Sequence, residues 1–399
     1  MLVFDHFRAL PQRKRLGILC VLAIVALLIA TLWPFDFSPS NKVSWLPDGN
    51  GLRFRGTSIV LSNALLKPAA AGSGESTSLE VLVRPASSKS VAMILSFYTA
   101  DTRSEFVFGQ QRDGLTVSRH FVNARDDARY PEIVADRVFE PGKLLFLTIT
   151  SGSNGTVIYR NGGQPQVFAG FKIMQSDLAG QIVLGTSALL SEPYWGEIRG
   201  LAIYSKALTP AEVLRDYYDW NAAPGRAPDS AALQSSAAQG PIAQRTNAQG
   251  TIEQASIEQE PVARYDFAEK AGHEVHSAVS SAPDLEIPQR YVVPHKPFLE
   301  SPGDEFVVKW EYVRTVLENI VGFVPLGFIV CAYLACTRSP RQAILYATLA
   351  GGSLSLVIEV LQFYVPPRGS GITDIITNTL GAAFGAMLAR PRMRGTADS

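Results

Sequence analysis

The chain has 399 residues, enough for two or three domains at roughly 100–200 residues each. Lys plus Arg and Asp plus Glu both number 36, and a chain without net charge gives no reason to expect nucleic acid or a broadly acidic partner. All three cysteines, Cys20, Cys331 and Cys336, lie in apolar runs, where they read as small packing side chains. The hydrophilic middle therefore has no disulfide framework and must be held by its own core.

The first apolar run, Leu16 to Trp33, follows Arg13-Lys14-Arg15. A signal peptide would have a shorter apolar stretch and a small-residue cleavage site. This run is long and leads into Leu32-Trp33-Pro34-Phe35, so an uncleaved membrane helix over 13–35 is expected, after a cytoplasmic segment 1–12. Trp33 and Phe35 suit the far interface.

From 45 to 221 the text is β-like. Leu79, Val81 and Val83 alternate with polar residues, and Arg112-Asp113-Gly114 lies between two strand-like runs as a hairpin signal. Asn154-Gly155 and Asn161-Gly162 bracket Val157-Ile158-Tyr159 as turns. Thr209-Pro210-Ala211-Glu212 supplies an N-cap, a Pro at N1 and a Glu at N3, which predicts a helix start. Many short strands of this spacing indicate a sandwich or barrel. Residues 222–260, rich in Ala, Gln, Ser and Gly, read as a flexible linker. β texture returns over 261–310 in Val262-Ala263-Arg264-Tyr265-Asp266-Phe267 and Asp284-Leu285-Glu286-Ile287, and is expected to add strands to the sandwich or to form a small hairpin.

Three further apolar segments predict membrane helices over 312–336, 342–364 and 372–390, each close to the roughly 20 residues a span needs. Arg338 and Arg341 follow the first of these, and Arg390, Arg392 and Arg394 follow the last. With the N-terminal basic cluster, one topology satisfies the positive-inside rule three times. It places both termini in the cytoplasm and residues 36–310 outside, as a multi-pass protein of the plasma membrane.

Val157-Ile158-Tyr159-Arg160-Asn161-Gly162, then Gly196-Glu197-Ile198-Arg199-Gly200-Leu201-Ala202-Ile203-Tyr204, then Ala207-Leu208-Thr209-Pro210-Ala211-Glu212-Val213, resembles the laminin-G-like, concanavalin A-like jelly roll. The resemblance implies carbohydrate binding, with Tyr98, Tyr130, Tyr194 or Trp195 as stacking platforms if they are not core. Asp101, Asp113, Asp126, Asp127 and Asp136 are the acidic candidates for calcium, but their spacing defines no calcium loop. No cofactor is expected, and the scattered histidines define no metal site.

Charged and amide side chains inside a span usually have a partner or a task. Asn319, Glu359, Gln362, Asp374 and Asn378 are such residues, and Arg368 lies in the loop beside them. Counted at 1.5 Å per residue from their helix ends, Asn319, Glu359 and Asn378 fall about 10 Å deep on one level. Gly381-x-x-x-Gly385 permits close helix packing, and Pro325 frees a backbone carbonyl.

The blocks Asn319-Ile320-Val321-Gly322-Phe323-Val324-Pro325-Leu326-Gly327-Phe328, Glu359-Val360-Leu361-Gln362-Phe363, Pro367-Arg368-Gly369 and Asp374-Ile375-Ile376-Thr377-Asn378-Thr379-Leu380-Gly381-Ala382 resemble the VanZ-like family. That family is bacterial, and one member is associated with low-level resistance to a glycopeptide antibiotic. The expected fold is mixed: a four-helix membrane domain plus an extracytoplasmic all-β jelly-roll sandwich. Three readings of the polar residues stand side by side. They are helix-to-helix glue, a binding site for an anionic or lipid-linked envelope ligand, or an acid–base pair of Glu359 and Asp374. The expected partners are the lipid bilayer and an envelope polysaccharide or lipid-linked precursor.

Overall fold

The computed structural model describes residues 10–67, 76–87, 91–121, 132–222, 260–306 and 310–389. Helix α1 (Gln12–Leu32) enters a β-sandwich of two eight-stranded sheets. The first sheet runs β1 (Ser44–Trp45), β2 (Leu52–Phe54), β13 (Gly196–Tyr204), β4 (Thr77–Pro85), β9 (Leu145–Gly152), β10 (Gly155–Arg160), β11 (Gln166–Phe168), with β14 (Ala263–Tyr265) also on β13. The second runs β15 (Glu274–Val275), β16 (Leu285–Glu286), β3 (Val60–Ser62), β12 (Gln181–Leu184), β5 (Val91–Thr99), β6 (Ser104–Gln111), β7 (Gly114–Phe121), β8 (Glu132–Ala135). All pairings are antiparallel.

Turn chemistry sets the registers. Gln111 pairs Gly114 across the two-residue turn Arg112-Asp113, and Arg112 takes a positive φ of 58°. Gly152 pairs Gly155, whose φ is 94° and whose added Cβ would lie 2.5 Å from the Phe168 carbonyl. Only glycine satisfies both constraints there. Side chains from both inner faces, among them Leu52, Phe97, Phe108, Val117, Ile149 and Leu184, form the core.

The return segment is part of this body. β14 extends the first sheet, β15 and β16 extend the second, and Tyr265, Val275 and Leu285 lie fully buried in the same core. Helix α2 (Pro210–Asn221) starts at the predicted capping box, where Thr209 and Glu212 exchange hydrogen bonds. It covers the outer face of the first sheet, with Trp220 lying on Gly200 and Val213 against Ala202 and Tyr204. This cover explains why β4 is buried on both faces.

Beneath α2, Glu80 is fully buried and accepts hydrogen bonds from the Tyr204 hydroxyl, the Thr148 hydroxyl and the Trp220 indole. Burial, and after it the charge of Asp216, pushes its carboxyl up to about 7 from 4.5. Between those values the folded state holds the proton that the unfolded chain has lost, so stability falls as pH rises through that window, by up to ~3 kcal/mol. Glu80→Gln keeps an acceptor for Tyr204 and Trp220 and can donate to Thr148. It is expected to flatten the pH dependence of sandwich melting and to raise its melting temperature at pH 8. A variant as pH-sensitive as the wild type counts against this assignment.

The sandwich leads back to the helices through paired segments. Ser40 bridges Arg290, the Asn41 amide donates to Gln289 and the Tyr291 amide to Pro39. The short α3 (Pro302–Glu305) precedes α4 (Trp310–Leu334), α5 (Pro340–Phe363) and α6 (Ile372–Leu388). Gln12–Leu32, Tyr312–Leu334 and Pro340–Phe363 are long and apolar enough to cross a membrane, and α6 is a shorter apolar helix of 17 residues. α6 packs against both α4 and α5, and α1 packs on α4 through Ile24, Leu27 and Leu28 near Phe323 and Leu326.

Candidate functional site

Glycines bring the backbones of α4 and α6 together. A Cβ at Gly381 would lie 2.2 Å from the Ile320 carbonyl, and one at Gly385 2.0 Å from that of Val324. Gly327 answers from α4, 2.0 Å from the Ala382 carbonyl. A Cβ at Gly351 of α5 would lie 2.3 Å from the Ala382 side chain. Pro325 stands at the exposed side of α4, which stays helical through it.

This closeness pairs the polar side chains. The Asn319 amide donates to Asp374 Oδ1 at 2.6 Å, and the Asn378 amide donates to the Ser355 hydroxyl at 2.9 Å. Asn378 Oδ1 is buried without a hydrogen-bond partner among the described residues. Glu359 is 1% exposed, and its Oε2 accepts the Gly371 N–H at 2.9 Å, while its backbone carbonyl accepts from the Ser370 hydroxyl. Gly371 is the N-cap of α6 and Asp374 sits in its first turn, so two carboxylates face the positive end of one helix dipole. Gln362 donates to the Thr31 carbonyl at 3.0 Å, and Arg368 to the Trp33 carbonyl at 3.1 Å, tying both to the end of α1.

The six residues therefore split into two groups. Asn319, Asp374, Glu359 and Asn378 link α4, α5 and α6, whereas Gln362 and Arg368 hold α1. Asn319 pairs with Asp374 rather than with Glu359 or Asn378, the two residues that depth counting sets on its level.

Directly beside this cluster the sandwich is fastened to the helices, a feature that sequence reading missed. Lys296 Nζ donates to the carbonyls of Gln362, Phe363 and Val365 at 3.0, 2.8 and 2.9 Å. It caps the carbonyl end of α5, where a cation is favoured. Burial pulls its ammonium down to about 8, which leaves it mostly charged at neutral pH. Glu300 adds two backbone bonds, donating to Ser370 and accepting from Ile372. On the sandwich side the His295 ring stacks on Tyr98 with centroids 3.8 Å apart, and its Nε2 lies 2.9 Å from Gln181.

The proposed stacking aromatics fare unequally. Tyr194 is fully buried and Tyr98 is covered by His295, whereas Trp195 is 48% exposed. Tyr130, Asp126 and Asp127 lie outside the described residues. Among the described residues no group of three or more His, Cys, Asp or Glu is arranged to hold a metal ion.

A two-layer β-sandwich mounted on a bundle of apolar helices, three of them long and apolar enough to cross a membrane, defines the class. Residues 272–393 match the family model of VanZ/LLP1, and residues 56–214 match that of the concanavalin A-like lectin/glucanases superfamily. One chain thus joins a VanZ-like unit to a concanavalin A-like domain.

Among solved structures, similarity is found to the receptor binding domain of botulinum neurotoxin C/D mosaic serotype, at 14% identity and a TM-score of 0.33 over 45% of each chain. A protein from Bacteroides ovatus described as a candidate carbohydrate binding protein matches at 11% identity and TM-score 0.35, over 61% of this chain and 62% of that one. This chain thus spans less than half of the neurotoxin chain and under two thirds of the Bacteroides one. No curated protein matches the chain.

Proposed function

We propose that this is a cell-envelope membrane protein that binds glycan through its sandwich and receives a lipid-linked or anionic ligand at the polar cluster of its helices. The observation that carries the reading is the fastening of the two parts at residues 295–300. Lys296 and Glu300 bind the turn 362–372, and that turn supplies the partner of Glu359. A ligand with a sugar head and a lipid tail would meet both parts at once. The basic flanks support placing both termini in the cytoplasm and the sandwich outside. Glu359 and Asp374 are each engaged by an N–H donor, which favours holding and positioning over acid–base chemistry.

Native mass spectrometry of the full-length protein from detergent tests this reading. A co-purifying glycolipid, lost in Glu359→Gln while the protein still inserts and folds, is the expected result. Lipid binding unchanged by Glu359→Gln, or no glycolipid at all, would contradict the role of the helices.

A further inference from the structure

On the outer face of the first sheet, away from α2, three arginines surround one carboxylate. Glu197 on β13 lies directly across from Arg53 on β2 and from Arg84 on β4. It accepts from Arg53 at 3.0 Å, from Arg84 at 3.2 Å and from Arg199 at 2.7 and 2.9 Å. Burial would raise the Glu197 carboxyl, but the hydrogen bonds of Arg199 and Arg53 hold it below its ordinary value. The carboxylate is thus one negative charge shared among three guanidiniums.

Arg53, Arg84 and Glu197 wall a cleft of about 220 Å³ together with Arg55 and Trp195. Arg55 is exposed and has no ion pair among the described residues. Arg84 Nε is buried without a hydrogen-bond partner among the described residues. Arg53, Arg55 and Arg84 against Glu197 leave the wall with two positive charges in excess. The Trp195 ring rests against Gly56, where a Cβ would come within 3.4 Å of it, and the Trp195 carbonyl accepts from the Ala86 amide, so the indole is held in place.

We infer that this cleft binds an anionic saccharide unit, the sugar ring stacking on Trp195 and its carboxylate or phosphate bridging Arg55, Arg53 and Arg84. The inference rests on the reading that the sandwich binds glycan, and names the chemical class that it takes. Guanidiniums match planar or tetrahedral oxyanions by paired N–H donors. An exposed indole fixed beside them offers an apolar face to the ring. The volume lies below that of drug-sized pockets and suits one or two sugar units.

Isothermal titration of the full-length protein in detergent tests it, with three probes: uronate-bearing tetrasaccharides (hyaluronan and polygalacturonate), neutral cellotetraose, and inorganic phosphate. At least one uronate tetrasaccharide is expected to bind ten-fold or more tighter than cellotetraose or phosphate. Arg55→Ala is expected to weaken that binding at least five-fold, and Trp195→Ala more. Arg55 is exposed and makes no ion pair among the described residues, so its loss leaves the fold intact. Equal binding of cellotetraose, or an affinity untouched by both substitutions, overturns the inference while leaving glycan binding by the sandwich in place. Phosphate binding as tightly as the uronates overturns the saccharide class. No binding of any saccharide overturns both readings.

Discussion

Gly381→Leu, and equally Gly385→Leu, is expected to prevent the helices from assembling, with a loss of more than about 3 kcal/mol and no monodisperse protein in detergent. An added Cβ alone would stand 2.2 Å from the Ile320 carbonyl or 2.0 Å from that of Val324. Both obstacles are backbone, which cannot swing aside, so α4 and α6 must separate. Overpacking of a tight interior commonly costs about 1–3 kcal/mol, and more where backbone has to move. Separation would also break the Asn319–Asp374 bond, whose 2.6 Å length depends on the same approach. Gly322→Leu is the control. Gly322 is exposed, and its Cβ would meet nothing within 4 Å, so that variant should insert and elute like the wild type. Equal behaviour of Gly381→Leu and Gly322→Leu in size-exclusion and thermal-shift measurements would refute close packing at this seam.

Lys296→Met is expected to loosen the sandwich from the helices without unfolding either. The substitution removes three donors to the carbonyls of Gln362, Phe363 and Val365 and leaves the apolar stem. Hydrogen bonds to charged groups contribute about 1.5–3 kcal/mol each, so a combined loss on the order of 4 kcal/mol is expected after relaxation of the helix end. Hydrogen exchange reads the effect directly. The amides of Tyr364, Val365, Arg368 and Ile372, protected by bonds in this turn, should exchange at least ten-fold faster, while those of β4 and β13 should not change. Unchanged exchange in the turn would mean that Lys296 does not join the two parts.

Much of the architecture is written in local patterns. The apolar runs are long, the capping box at Thr209 has a fixed spacing, and the Asn-Gly turns permit few conformations. The glycines at 381 and 385 likewise declare a helix seam. What covers each face is not local information. Alternation in β4 marks Leu79, Val81 and Val83 as inward, but cannot tell that α2 would close over Glu80 on the other side.

The same limit governs the site. Counting depth from helix ends sets Asn319, Glu359 and Asn378 on one level. The hydrogen bonds instead follow the glycine seam, taking Asn319 to Asp374 and Asn378 to Ser355. Lys296 and Asn41 are single polar residues in irregular chain, with no period to mark them. Yet Asn41 joins Ile59 and Pro288 across the base of the sandwich, and Lys296 joins the sandwich to α5. The arginines around Glu197 did leave a trace, since Arg53, Arg84 and Glu197 each alternate with buried apolar neighbours.

Glycan recognition at the sandwich and ligand binding at the helices both require that these face the same, non-cytoplasmic side of the membrane. Labelling of single cysteines with a membrane-impermeant maleimide in spheroplasts tests that requirement, after replacement of Cys20, Cys331 and Cys336 by alanine. Lys143→Cys, at an exposed turn of the sandwich, is predicted to label in intact spheroplasts, and Thr337→Cys, between α4 and α5, only after permeabilisation. The opposite pattern, with Thr337→Cys reactive and Lys143→Cys protected until the membrane is opened, would contradict the account.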